Sequence, residues 1–304
     1  FNPDAKCPRW ESHLLRVFDG NEDLIRYFQF LAGYALTGST RHELFVICHG
    51  IGGCGKSTTL ELLKKVIGGD YASGVSHDVI LEQRFTGHPC SIAALQGKRM
   101  LLASELPQNA RWNEPNIKRI ATGDTFTARE IAGKPFDFRV QATLFVNTNE
   151  IPAFMDNSGA MTDRIRLLPF TVKLRGTDGC KTDMEEELWA EREGILRWMI
   201  EGAKRTTKKA PPVPNVMRLD LERYVQENDL LAKFLEERTK KGPGELAEVG
   251  STYDAYVDFQ GVGALSKPKF GKELRRRGFD QVRHQGTRCW SGFSLTNDRN
   301  DRVV

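Results

Sequence analysis

The chain has 304 residues, 39% hydrophobic and 28% charged, enough to bury a sizeable core in two or three domains. No run approaches the roughly 18 apolar residues of a spanning helix, so no membrane partner is expected. A net charge of +4 is too mild to identify a nucleic-acid partner by itself; where the charge clusters matters more.

The chain opens on Phe1-Asn2-Pro3-Asp4, without an initiator Met or the apolar core of a signal peptide, and is expected to be a piece of a longer or processed chain. Residues 1–41 read as helical. Leu14, Leu15, Val17 and Phe18 form one apolar patch, and Leu24, Ile25, Phe28, Leu31 and Ala32 repeat at helical spacing behind a cap at Asn21. Leu44-Phe45-Val46-Ile47-Cys48 is a short apolar run ending in glycines, which predicts a buried strand. A helix over 57–66 follows and is stopped by Gly68-Gly69. Further buried strands are predicted at 99–103 and 142–146, with a helix around 116–121 between them. Such alternation predicts a parallel α/β sheet. Helical periodicity returns over 184–204, and Lys208-Lys209-Ala210-Pro211-Pro212-Val213-Pro214 has linker composition. The expected divisions are therefore a helical segment over 1–41, a core over 42–204, a linker over 205–215 and a small domain over 216–304. The six cysteines (Cys7, Cys48, Cys54, Cys90, Cys180, Cys289) are scattered and form no CxxC pair. Neither zinc nor disulfides are expected, and the expected setting is a reducing cytoplasm.

Gly50-Ile51-Gly52-Gly53-Cys54-Gly55-Lys56-Ser57 fits GxxxxGK[ST] at every fixed position, between a predicted strand and a predicted helix. Glycines let backbone N–H groups curl around phosphates at the positive end of the following helix. Lys56 suits the β- and γ-phosphates, and the Ser57 hydroxyl suits Mg²⁺. The candidate nucleotide-binding set is Gly50, Gly52, Gly53, Cys54, Gly55, Lys56, Ser57 and Thr58, with ATP and Mg²⁺ as expected cofactors. The strand at 99–103 runs into Ser104-Glu105. A carboxylate at that strand end polarises the attacking water or holds Mg²⁺ through water, and the residues leave open which role Glu105 takes.

Two further segments narrow the class: Ile117-Lys118-Arg119-Ile120-Ala121-Thr122-Gly123-Asp124-Thr125-Phe126-Thr127-Ala128-Arg129, and Leu144-Phe145-Val146-Asn147-Thr148-Asn149-Glu150-Ile151-Pro152. With the glycine loop and the lone Glu105, this ordered set resembles superfamily 3 helicases, in particular the helicase part of phage and plasmid primase–helicases, the poxvirus-type branch included. The likeness covers about residues 8–175. It implies an AAA+ P-loop fold and a ring, typically of six subunits, that moves along DNA. The segment at 118–129 matches the motif that leads into a hairpin gripping single-stranded DNA in the ring channel. Here that hairpin is Glu130-Ile131-Ala132-Gly133-Lys134-Pro135-Phe136, with Lys134 as a phosphate contact and Phe136 as a stacking candidate against its ordinary role as a core residue. Asn149 matches the position that senses the γ-phosphate, with Asn147 as a competitor. Met161-Thr162-Asp163-Arg164-Ile165-Arg166 resembles the segment carrying an arginine finger. Arg164 fits best and Arg166 is the alternative; either would reach a neighbouring subunit's nucleotide. Related chains often carry a primase or polymerase domain upstream; none is visible here, so no primer synthesis is expected of this piece.

After 216 the helical signals at Leu230, Leu231, Phe234 and Leu235 and at Tyr253, Tyr256, Val257 and Phe259 precede a basic stretch with Arg275, Arg276 and Arg277 and a β-pair near Trp290. That order looks like a winged helix, a common ending in the resembled family. Between Lys267 and Arg288 eight basic residues face two acids, a local excess of +6 that exceeds the +4 of the whole chain. Such clustering fits DNA phosphates, and also fits a solvated helix face or a partner surface. The leading expectation is an ATP-dependent DNA helicase of superfamily 3, a homo-oligomer in phage or plasmid replication, in the host cytoplasm if phage-encoded. An ATP-switched DNA-binding or loader module and a P-loop kinase or small-molecule NTPase are the alternatives.

Overall fold

The structure is a computed structural model that describes residues 1–83, 89–153, 159–176, 184–207, 210–261 and 264–296. It divides into two compact units, Phe1–Tyr224 and Val225–Val304.

The first unit begins with α1 (Pro8–Val17), whose buried Trp10, His13, Leu14 and Val17 recur at helical spacing. Its Cys7 cap offers no side-chain bond. The orphan N–H groups of Arg9 and Trp10 are instead met by the Glu191 carboxylate at 3.0–3.1 Å, 181 residues or more downstream. In α2 (Glu22–Thr37), Asn21 accepts from Leu24 N–H at 3.1 Å as the sequence predicts, and Gly38 ends the helix at φ 64°.

Five strands form a parallel sheet in the order β2-β3-β6-β1-β7: β1 (Phe45–His49), β2 (Ala72–Gly74), β3 (Met100–Ser104), β6 (Thr143–Thr148) and β7 (Ile165–Pro169). The interior strands read as unbroken apolar runs because both of their faces are covered. The parallel sheet predicted from the alternation is therefore present. β4 (Thr125–Arg129) and β5 (Pro135–Arg139) pair antiparallel as a separate hairpin around the turn at 130–134. The helices of this unit are α3 (Lys56–Ile67), α4 (His77–Ile80), α5 (Pro89–Ala93), α6 (Glu114–Thr122), α7 (Met184–Ala190) and α8 (Arg192–Lys204). The helical run expected over 184–204 breaks between α7 and α8 at Glu191, the residue that caps α1. α8 crosses α2 nearly backbone to backbone: a Cβ on Gly33 would lie 2.1 Å from Ala203 N, and one on Gly202 2.0 Å from Gln29 O.

In the proline-rich stretch, Ala210 and Val213 pack on the first unit's core; Lys208 and Lys209, like Cys180, lie outside the described residues. α9 (Asn215–Glu227) follows, and the division between the units falls inside it. The second unit contains α10 (Leu230–Glu237), β8 (Thr239–Glu248), α11 (Val249–Gln260), α12 (Lys267–Arg276), β9 (Gln281–His284) and β10 (Thr287–Leu295). Its antiparallel sheet runs β8-β10-β9 around a core with Phe234, Tyr256, Phe270, Trp290 and Phe293. β8 is not visible in the sequence, because Lys240-Lys241-Gly242-Pro243-Gly244 lacks strand character and only pairing with β10 makes it one. No helix among the described residues is long and apolar enough to cross a membrane.

Candidate active site

The glycine loop leaves the C-terminal end of β1 and enters α3. The neighbouring strand ends present Glu105 after β3 and Asn147 and Asn149 at the end of β6. Together they line a cleft of about 720 Å³ with Gly52, Gly53, Cys54, Gly55, Lys56, Ser57 and Thr58. Ligands of open parallel sheets bind at this edge, beyond the carboxyl ends of the strands. Two glycines are required by close approach. Gly50 sits at φ 148°, where a Cβ would lie 2.0 Å from Phe170 O; Gly53 sits at φ 80°, where a Cβ would lie 2.8 Å from the Arg175 Cβ.

Lys56 is buried and folds back over its own loop. Its ammonium donates to Gly50 O at 2.7 Å, Ile51 O at 3.0 Å and Asn149 Oδ1 at 2.9 Å. The Asn147 amide donates to Ser57 Oγ at 3.0 Å. The two asparagines left as competitors thus divide the work: Asn149 meets the lysine and Asn147 the hydroxyl. Glu105 is exposed and adopts a left-handed backbone at φ 56°, uncommon for a non-glycine residue. Strain of that kind clusters where a side chain must be aimed. The arrangement can hold an anion on backbone N–H groups and an ammonium, with a carboxylate and two amides at the same mouth.

His13 of α1 buttresses the loop from below: its Nε2 lies 2.8 Å from Thr59 Oγ1, whose own proton goes to Gly55 O at 2.8 Å. Burial, with a smaller contribution from Arg16, lowers the imidazole from 6.5 to about 4. The neutral ring is therefore favoured in the fold, and the unfolded chain binds the extra proton between those values. Stability should be full above pH 6.5 and fall as the pH drops to 4, with His13 contributing about 3 kcal/mol of the loss. Denaturant unfolding at several pH values checks this. A His13→Gln chain should lack that part of the acid limb, and an identical pH profile in the two chains would contradict it.

Arg164 is not at this cleft. It precedes β7, and β7 pairs with β1 from Ile165 opposite Phe45 to Pro169 opposite His49. Arg164 thus lies at the amino-terminal edge of the sheet, roughly 16 Å of strand from the loop. Its guanidinium donates to Ala160 O at 2.6 Å and to Glu43 Oε2 at 2.7 Å. Arg166 donates to Asp163 O and Ile165 O at 2.8 and 2.9 Å.

At the hairpin tip Lys134 is exposed, and Ile131 is 88% exposed, an apolar side chain that no local pattern singles out. Phe136 instead shares a face with buried Phe126 and Phe138 and lies 5.9 Å from the Phe138 ring, which turns it to packing. The three consecutive arginines expected to contact DNA, Arg275, Arg276 and Arg277, also separate. Arg275 and Arg276 are exposed, whereas Arg277 gives bonds of 2.7 and 2.8 Å to both oxygens of Asp229, the cap of α10. Arg277 is thereby held by a charge-assisted pair inside the second unit. Arg175 lines the cleft although no motif marks it. It arrives by a tertiary return of the chain after β7, a placement that no local pattern encodes.

A family described as "Family of unknown function (DUF5906)" matches residues 48–164. The chain is 23% identical over 252 residues to "Putative helicase L207/L206" of Acanthamoeba polyphaga mimivirus, covering 75% of this chain and 26% of that protein. It is 25% identical over 278 residues to "Putative helicase 022R" of Frog virus 3, covering 82% of this chain and 28% of that one. It is 30% identical over 156 residues to "Primase D5" of Fowlpox virus, covering 50% and 19%. The chain thus spans between 19% and 28% of the length of these relatives. The apo structure of the NrS-1 C-terminal region shares the fold, with a TM-score of 0.55 at 16% identity, covering 95% of this chain and 77% of that one. The chain is a homologue of proteins named as helicases and a primase in large DNA viruses, and it resembles superfamily 3 helicases of the primase–helicase kind.

Proposed function

We propose that this chain is the motor of a viral or phage-type replication helicase: an ATPase of the AAA+ class that acts as a ring of identical subunits and moves on single-stranded DNA. The observation that carries the reading is the convergence of the glycine loop, Glu105, Asn147 and Asn149 from three adjacent parallel strands onto one cleft. In this reading the loop's N–H groups and Lys56 hold the β- and γ-phosphates, and Asn149 exchanges its bond to Lys56 for one to the γ-phosphate or the attacking water. Glu105 orients and polarises that water. Ser57 and Glu105 offer hard oxygen donors, a fit for Mg²⁺, which keeps several waters and needs only one or two protein ligands. Bound there, the ion would neutralise charge on the phosphates. Arg164 would act only across a subunit boundary, since it cannot reach its own cleft, and must leave Glu43 to do so.

The exposed Lys134 at the hairpin tip supports a phosphate contact with single-stranded DNA. The helix–strand–helix–helix–strand–strand order from α10 to β10, with Lys267, Lys269, Lys272, Arg275 and Arg276 exposed, supports a winged-helix reading of the second unit as a further DNA surface.

The test is ATP hydrolysis with and without single-stranded DNA, alongside unwinding of tailed duplexes. Hydrolysis should rise several-fold with DNA. Lys134→Ala should keep the DNA-free rate and lose most of the stimulation and unwinding. A rate indifferent to DNA would favour a small-molecule NTPase. Tight ATP binding with negligible turnover would favour an assembly switch.

A further inference from the structure

A second cation stands at the mouth of the cleft with Lys56. Arg175 belongs to the segment after β7, which is clamped along the glycine loop. Phe170 N–H donates to His49 O at 2.8 Å and prolongs the β1–β7 ladder. The N–H groups of Leu174 and Arg175 both donate to Gly53 O, at 2.9 and 3.0 Å. The missing Cβ of Gly53 leaves the space into which the Arg175 Cβ fits. The base of this side chain is therefore fixed against the phosphate loop. Arg175 is exposed and lines the cleft, and its side chain has no hydrogen-bond or ion-pair partner among the described residues.

Charge balance gives that placement a consequence. The charged residues lining the cleft are Lys56 and Arg175 against Glu105 and Glu150. Lys56 is already shared between two loop carbonyls and Asn149. Without Arg175 a polyanion would meet a lining with more negative charge than positive. A guanidinium fork matches phosphate oxygens in geometry as well as charge.

We propose that Arg175 is a second phosphate-binding cation of this site, donating to the terminal phosphates of the nucleotide held by its own chain's loop. The inference rests on the nucleotide-binding reading above. It differs from the role given to Arg164 in acting within one subunit, so it needs no neighbour.

The experiment is calorimetric titration of the full chain with ATP and with AMP in the presence of Mg²⁺, for the wild type, Arg175→Ala and Arg175→Lys. Both variants keep the Cβ and the two N–H bonds to Gly53, so unliganded melting should not change. Arg175→Ala should weaken ATP roughly 10- to 100-fold, the range for a charge-assisted bond. AMP, which lacks the terminal phosphates, should change little, and Arg175→Lys should recover part of the loss. Unchanged ATP affinity in Arg175→Ala would overturn the assignment. So would an equal loss for ATP and AMP, which would put Arg175 against the base, the ribose or the loop itself. A wild-type chain that binds no ATP would instead bring down the nucleotide reading, a result distinct from either.

Discussion

A Lys56→Ala chain should fold, yet bind ATP at least about 100-fold more weakly and show no measurable hydrolysis. The expectation follows from where the ammonium sits. Lys56 is 5% exposed and draws Gly50 O, Ile51 O and Asn149 Oδ1 onto a single cation. In the nucleotide-bound site the same ammonium would turn to the phosphates, and removing it takes away both the charge and the group that organises Asn149. The loop's backbone shape is set elsewhere, by its glycines and by the bonds from Leu174 and Arg175 to Gly53. Truncation leaves two carbonyls and one amide oxygen short of a donor, a loss of about 1–3 kcal/mol. Melting should therefore move by a few degrees while calorimetric ATP binding collapses. Nucleotide affinity equal to that of the wild type would sink the assignment of the loop.

The second large effect concerns Arg164. Arg164→Ala should lower hydrolysis by about 10³-fold or more, as loss of an arginine finger does, with little change in ATP affinity. Mixing these subunits with Lys56→Ala subunits should then restore activity that neither shows alone. In a ring of randomly mixed equal amounts, about a quarter of the boundaries would join an intact loop to an intact Arg164. The pattern is what the proposed action across a boundary predicts, because Arg164 and the loop lie at opposite edges of the same sheet. Arg164 also holds Glu43, so a Glu43→Gln chain serves as the control. If Arg164 matters only through that ion pair, Glu43→Gln should fail as badly as Arg164→Ala. No recovery in mixed assemblies shown to contain both subunits would exclude action across the boundary.

Much of the first unit is legible in order along the chain. The apolar runs of β1, β3 and β6, the Asn21 cap, the glycines after α3 and the turn at Gly133 are local signals, each carried by a few neighbouring residues. The glycine loop belongs to the same kind, since an approach to phosphate constrains residue type at fixed spacing; Glu105 is marked by its place at a strand end, and Asn149 only by what the resemblance implies. Where the pattern offers several similar residues, contacts distant in sequence give them different partners. Asn149 is favoured over Asn147 by the resemblance alone, and their different contacts, with Lys56 and with Ser57, arise only once β6 lies beside β1. Arg275 and Arg277 are two residues apart in one basic run, and only the arrival of Asp229 ties down the latter.

The amino-acid sequence by itself determined the alternation of strands and helices, the glycine loop and the basic character of the carboxyl-terminal stretch, because periodicity, backbone freedom and charge are properties of adjacent residues. Tertiary structure alone decided that Glu191 caps α1, that Lys240-Lys241-Gly242-Pro243-Gly244 forms part of a strand, and that Arg175 lines the cleft while Arg164 turns away from it. The physical reason is common to all of them. An orphan N–H, an unpaired strand edge or an uncompensated charge specifies what kind of partner it needs, but which distant residue supplies it depends on how the whole chain packs.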